Sequence, residues 1–121
     1  MIRYWSMREL VRDKGRLEHI IESIGNVEQF TDGYDYDSLM NDKLHLHATV
    51  HNIQVIGEAV YKLSLEFRDS HPDTPWPLIE KLRHVLVHDY YQINFEILWD
   101  IIKKDIPVLK EQINQYLSEM Q

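Results

Sequence analysis

Residues 82–91, Leu82-Arg83-His84-Val85-Leu86-Val87-His88-Asp89-Tyr90-Tyr91, crowd one guanidinium, two imidazoles, a carboxylate and two phenols together, beside Lys81. An arginine offers a planar fork of donors that matches a phosphate. A histidine titrates near neutrality and moves protons in either direction. Together they could cleave a phosphodiester without a metal. The imidazole would handle the 2′-hydroxyl or leaving-group proton, and the guanidinium would stabilise charge on the phosphoryl oxygens. The spacing sets a condition: on an ideal helix Arg83 and His88 lie about 140° and ~7.5 Å apart, so one face cannot present both. They converge if the helix ends near His88, or if two such helices meet across a dimer. The same residues also have a plain structural use, with Arg83 in an ion pair and His88 at a helix C-terminus, where a cation is favoured.

Seven histidines raise the question of a metal. His47 and His51, and likewise His84 and His88, are i, i+4 pairs, and Asp42, Glu58 and Asp89 are carboxylates that could join them. A zinc site needs three or four ligands. Neither an HExxH pattern nor the repeated Glu-x-x-His of di-iron bundles occurs, so no metal and no cofactor is expected. His45, His47 and His51 read as surface or interface residues, with His51 near the cleft. The chain has no cysteine, which removes thiolate nucleophiles and disulfide frameworks. Trp76 either stacks on a base or anchors its proline-rich loop to the core.

Positioning these groups falls to helices. Ser6-Met7-Arg8-Glu9 has the form of a capping box, and Leu10, Leu17, Ile20, Ile21, Ile24 and Val27 recur at helical spacing, predicting a first helix to about Phe30. A polar turn from Thr31 to Tyr36 follows. A long second helix is predicted from Asp37 or Ser38 to about Arg68, ended by Ser70-His71-Pro72-Asp73-Thr74-Pro75. Pro75 and Pro77 suit the first turn of a third helix with Ile79, Leu82 and Leu86 as its stripe. After a break around His88 to Asn94, a fourth stretch carries Phe95, Ile97, Leu98, Ile101 and Ile102. Pro107 kinks or restarts it, and Val108 to Leu117 continue the pattern. No convincing period-2 strand occurs. The expectation is one domain over residues 1–121, all-α, an up-and-down bundle of four to five helices.

Along the second helix Leu46, Val50, Ile53, Gly57, Val60 and Ser64 fall within about 40° of one line, opposite Leu44, Ala48, Val55 and Ala59. A helix apolar on two faces has two partners. One is the chain's own core. The other is a second copy of the chain, or the helix is simply central in its own bundle. Gly57 favours a close approach, since an in-helix glycine costs roughly 1 kcal/mol against alanine. A homodimer through Leu46, Val50, Ile53, Gly57 and Val60 is the expectation.

Charge and composition narrow the partners. The 121 residues carry 20 acidic and 13 basic side chains, a net charge of −7. A protein gripping duplex DNA through a broad basic face does not look like this, so any nucleic-acid contact is a local cluster working against the global charge. No apolar run approaches the ~20 residues of a membrane span, and Met1 to Ser6 lack the apolar stretch of a signal peptide. A cytoplasmic protein without a membrane role is expected.

Arg83, four residues, His88, one residue and Tyr90 resemble the R-x4-H-x-Y motif of the HepT toxins (DUF86), members of the HEPN superfamily of helical ribonucleases. The resemblance extends to Ile56-Gly57-Glu58-Ala59, to Pro75-Trp76-Pro77 and to Trp99 through Leu109, covering about Val11 to Leu117. It implies a HEPN-like dimer that cleaves RNA without a metal at the subunit interface. Arg83 would bind and polarise the scissile phosphate, and His88 would act as general acid or base. His84 stands where the superfamily usually has another polar residue, often Asn, and would support that contact. The resemblance also implies an antitoxin partner, a small nucleotidyltransferase of the MntA type. It would add AMP to the motif tyrosine, Tyr90, or to adjacent Tyr91, blocking the cleft with bulk and negative charge. The acidic stretch from Asp32 to Asp37 is then either a solvated turn or a contact for that transferase. The implied function is an endoribonuclease toxin of a type VII toxin–antitoxin system. The alternative is a non-catalytic helical module that binds nucleotides and partners the transferase.

Overall fold

The computed structural model describes residues 7–83 and 94–120, and every regular element among them is helical. In chain order these are α1 (Met7–Thr31), α2 (Tyr36–Met40), α3 (Lys43–Tyr61), α4 (Leu65–Ser70), α5 (Trp76–Glu80), α6 (Phe95–Asp100), a π-helical turn (Ile101–Asp105) and α7 (Ile106–Glu119). The all-α expectation holds, and no helix among the described residues is long and apolar enough to cross a membrane.

Helix α1 follows its apolar period. Leu17, Ile20, Ile24 and Val27 are buried on one stripe, and α1 runs antiparallel to α3, with Asn26 Nδ2 donating to Asn52 Oδ1 at 3.0 Å. The helix stops where Gly33 takes a positive φ of 78°, a conformation glycine adopts without the penalty of a Cβ. Helix α7 closes the other side of α1, tied at the surface by Lys110 to Glu28 at 3.0 Å.

The predicted long second helix is in fact three, α2, α3 and α4, and the breaks have a common cause. Asp42 and Ser64 each turn a side-chain oxygen onto the backbone N–H three residues ahead, His45 N at 3.0 Å and Phe67 N at 3.2 Å. Short polar side chains thus replace the helix ladder with a cap. At Ser64 the diversion is stronger still: its backbone N–H donates to Asp13 Oδ1 at 2.9 Å and its hydroxyl to Asp13 Oδ2 at 2.6 Å. Asp13 is a buried carboxylate on α1, so its charge is compensated by two donors that a continuous helix would not have aimed at it.

The stripe expected to meet a second copy is spent inside the chain. Ile53 and Val60 are 0% exposed, Val50 4% and Leu46 6%, and Gly57 is buried as well. They fill the chain's own core, so they are not a surface on which another copy could dock. On the opposite line Leu44 is 77% exposed, whereas Ala59 is buried.

Two further expectations resolve here. Trp76 anchors its loop: it is 3% exposed, its Nε1 donates to His71 O at 2.9 Å, and it packs beside Phe67 and Tyr116. At Pro107 the helix neither stops nor restarts but widens just upstream, with Ile106 N–H reaching Ile101 O, five residues back. The widened turn lets the helix continue through a residue that has no N–H to give. Ser6, expected as the first cap, lies outside the described residues, and so does the predicted break from His88 to Asn94 apart from Asn94 itself, whose side chain accepts from Glu96 N and Ile97 N to cap α6.

Two predictions follow from the caps. Replacing buried Asp13 by alanine removes a charged acceptor from two partly buried Ser64 donors and should lower stability by about 2–3 kcal/mol, read as a shift in urea midpoint with an unchanged slope. The Asp42 carboxyl is held down to about 2 by the Tyr34 hydroxyl, which donates to it at 2.6 Å, and next by the His45 N–H. A folded-state value below the ordinary 3.8 means the stabilisation is complete above about pH 4 and is lost as pH falls towards 2. Wild type should therefore exceed Tyr34→Phe in stability at pH 6 by a margin that shrinks at pH 2; a pH-independent margin would contradict this.

Candidate active site at the end of α5

The candidate site begins with a crossing of two backbones. Pro75 and Pro77 open α5, since a first-turn residue needs no N–H, and buried Trp76 fixes where it starts. Arg68 on α4 reaches Glu80 on α5 at 3.3 Å, which orients the short helix. The segment then passes so close to α3 that a Cβ added at Gly57 would lie 2.6 Å from Arg83 N, 3.1 Å from Ile79 O and 3.2 Å from Leu82 C. All three are backbone atoms that cannot swing aside. Gly57 is therefore the residue that lets Arg83 sit against α3.

From that position the Arg83 side chain folds back over α3. Its Cζ lies 3.5 Å from the centroid of the Tyr61 ring, and its Nη1 is 3.9 Å from Glu58 Oε2. Glu58 is shared, since Lys62 Nζ also lies 3.9 Å away. The Arg83 side chain keeps 22% of its surface exposed, and its Nε is buried with no hydrogen-bond partner among the described residues. The guanidinium is thus held by its flat face, while among the described residues its donor edge makes one loose contact with a carboxylate. The ion pair with Glu58 that the sequence allowed is present, but it lacks the bidentate, 2.7–2.9 Å geometry frequent in arginine–carboxylate pairs. The arrangement suits reception of an anion from outside.

Of the residues singled out in the sequence, Arg83 lies where a phosphate could reach it. His84, His88, Asp89, Tyr90 and Tyr91 lie outside the described residues. Exposed His51 shares α3 with Glu58, and no three His, Asp or Glu side chains cluster as a metal site among the described residues. Tyr61 was not singled out in the sequence, and Glu58 was marked only as a carboxylate and as part of the family-like stretch. Both lie more than twenty positions from Arg83, and the one hint was the adjacent Gly57, whose cost inside a helix demands a close neighbour. A separate, mostly apolar cleft of about 210 Å³ between α5 and α7, lined by Leu78, Ile79, Leu82, Ile106 and Leu109, has Asp105 and Gln112 as its polar lining.

Residues 20–116 match the family model described as Ribonuclease HepT-like. The chain is 35% identical over 100 residues to a protein of Methanocaldococcus jannaschii named as a candidate RNase, covering 83% of this chain and 92% of that one. It is 34% identical over 97 residues to a protein of Thermococcus cleftensis named "Probable ribonuclease HepT", covering 80% and 88%. A longer M. jannaschii relative, named as a gamma-glutamylcyclotransferase and candidate RNase, is 35% identical over 104 residues; that match covers 86% of this chain and about half, 47%, of the relative. No solved structure matches significantly.

The crossing predicts opposite outcomes for two glycines in helices. Gly25 has nothing within 4 Å of an added Cβ, so Gly25→Ala should stabilise by up to about 1 kcal/mol through helix propensity. Gly57→Ala must push α5 away and should destabilise by about 1–3 kcal/mol. Urea unfolding of the pair checks this, and a Gly57→Ala protein as stable as Gly25→Ala would refute the close approach.

Proposed function

The chain belongs to the HepT-like ribonuclease family, and from that premise we propose that it is a metal-independent endoribonuclease, the toxin of a type VII HEPN/nucleotidyltransferase pair. The observation that carries this reading is the state of Arg83: a partly exposed guanidinium braced on its face, with its donor edge largely uncommitted, in a protein of net charge −7. Such a group attracts and polarises a phosphate locally while the rest of the surface repels nucleic acid.

In the proposed reaction a general base takes the proton of an RNA 2′-hydroxyl, and O2′ attacks the adjacent phosphorus. The bond from phosphorus to O5′ breaks, leaving a 2′,3′-cyclic phosphate, and the departing O5′ receives a proton. Arg83 binds the non-bridging oxygens and stabilises the charge that grows on them. His88 supplies one of the two proton transfers, and His84 supports the phosphate contact. Two chains would form the cleft. Since Leu46, Val50, Ile53, Gly57 and Val60 are buried within the chain, the proposed dimer uses other residues. Adenylylation of Tyr90 by a partner nucleotidyltransferase would place a bulky anion two residues from His88 and repel the substrate.

Cleavage of RNA by purified protein in EDTA tests the reading, with intact mass confirming that the protein carries no AMP. Arg83→Ala should lower the rate by about 10²–10³-fold, the scale of removing one charge-stabilising donor. His88→Ala should lower it by about 10²–10⁴-fold. If unmodified wild type cuts no RNA but still binds it, the chain is a nucleotide-binding partner and Arg83 a phosphate anchor.

A further inference from the structure

We propose that Tyr61 is the positioning residue for Arg83: its ring fixes the plane of the guanidinium so that the donor edge meets the scissile phosphate. This deepens the ribonuclease reading and rests on it. Arginine is a long, flexible side chain, and one that must be ordered by its substrate loses rotamer freedom at each turnover. Here ordering is done beforehand. The Arg83 Cζ stands 3.5 Å from the Tyr61 centroid, well inside the ~6 Å at which a cation is held by the ring quadrupole. The contact takes the one part of a guanidinium that offers no hydrogen bond.

The neighbouring groups fit this division. Glu58 lies at 3.9 Å from Nη1, close enough to attract the cation and too far for the tight bidentate pair that would occupy its edge. The buried Nε has no hydrogen-bond partner among the described residues. The ring itself is not a core element. Tyr61 is 48% exposed, near the C-terminal end of α3, so packing does not explain its place. Its neighbour Gly57 brings the Arg83 backbone to α3, four residues before Tyr61 on the same helix. One residue sets where the arginine starts, and the other sets where its head rests.

The test separates the quadrupole from simple bulk. RNA cleavage is measured for wild type, Arg83→Ala, Tyr61→Phe, Tyr61→Trp and Tyr61→Leu, together with phenylalanine at position 61 carrying one to three ring fluorines. Fluorination drains the negative face of the ring with little change in size. Tyr61→Phe and Tyr61→Trp should keep kcat within about twofold. Tyr61→Leu should lose about tenfold, mainly in kcat, the scale of a partly desolvated cation–π contact, and activity should fall stepwise with each fluorine. A leucine variant as active as the phenylalanine variant, or a fluorine series with flat activity, would overturn the inference while the contrast between wild type and Arg83→Ala still upheld the enzyme. Equal cleavage by wild type and Arg83→Ala would overturn the role of Arg83, and that of Tyr61 with it, whereas no cleavage by unmodified wild type would overturn the ribonuclease reading itself.

Discussion

The close passage of α5 over Gly57 is the constraint on which the site depends. Three backbone atoms, from Ile79, Leu82 and Arg83, occupy the space a side chain would need there. A glycine inside a helix costs about 1 kcal/mol relative to alanine, a cost offset here by bringing two backbones together. The start of α5 is fixed by prolines and buried Trp76, its flank by the Arg68–Glu80 pair, and its end by that contact. The result is an arginine delivered from a packed frame rather than from a free loop.

A local positive group in an acidic protein is a sensible device for handling RNA selectively. At physiological ionic strength charges further than ~8 Å apart are largely screened, so the net charge of −7 does not cancel the field at Arg83. It does weaken non-specific adhesion to nucleic acid elsewhere on the surface. In the proposed reaction, holding the guanidinium by its face leaves its exposed donors for the substrate. The same logic gives the proposed silencing step its force, since an added phosphate near the cleft would compete for the same cation.

Much of the architecture was legible in the sequence because it rests on local rules. The apolar period of α1, the prolines opening α5 and the absence of alternating segments led directly to an all-helical fold. The division of the second helix was not legible, although Asp42 and Ser64 are good caps, because a short polar residue in a long apolar pattern reads equally well as a tolerated surface position. What decided the matter at Ser64 was Asp13, fifty-one residues away. Gly57 was recognised as a point of close approach, but periodicity cannot say which backbone approaches, and a second copy and α5 give the same pattern. The meeting of Tyr61, Glu58 and Arg83 is a tertiary contact with no signature in spacing, so the brace around the arginine emerged only from the fold.

The most direct measurement of this account is the RNA-cleavage rate of Gly57→Ala beside that of Gly25→Ala, with far-UV circular dichroism to confirm that both remain helical. Displacing α5 by a single methyl group should leave a folded protein whose Arg83 no longer rests on Tyr61, and a misplacement near 1 Å can cost about 10²-fold. Gly25→Ala should cut RNA at the wild-type rate, and Gly57→Ala should fall towards the rate of Arg83→Ala. A helical Gly57→Ala protein that cuts RNA as fast as wild type would contradict the claim that this crossing sets the active arginine.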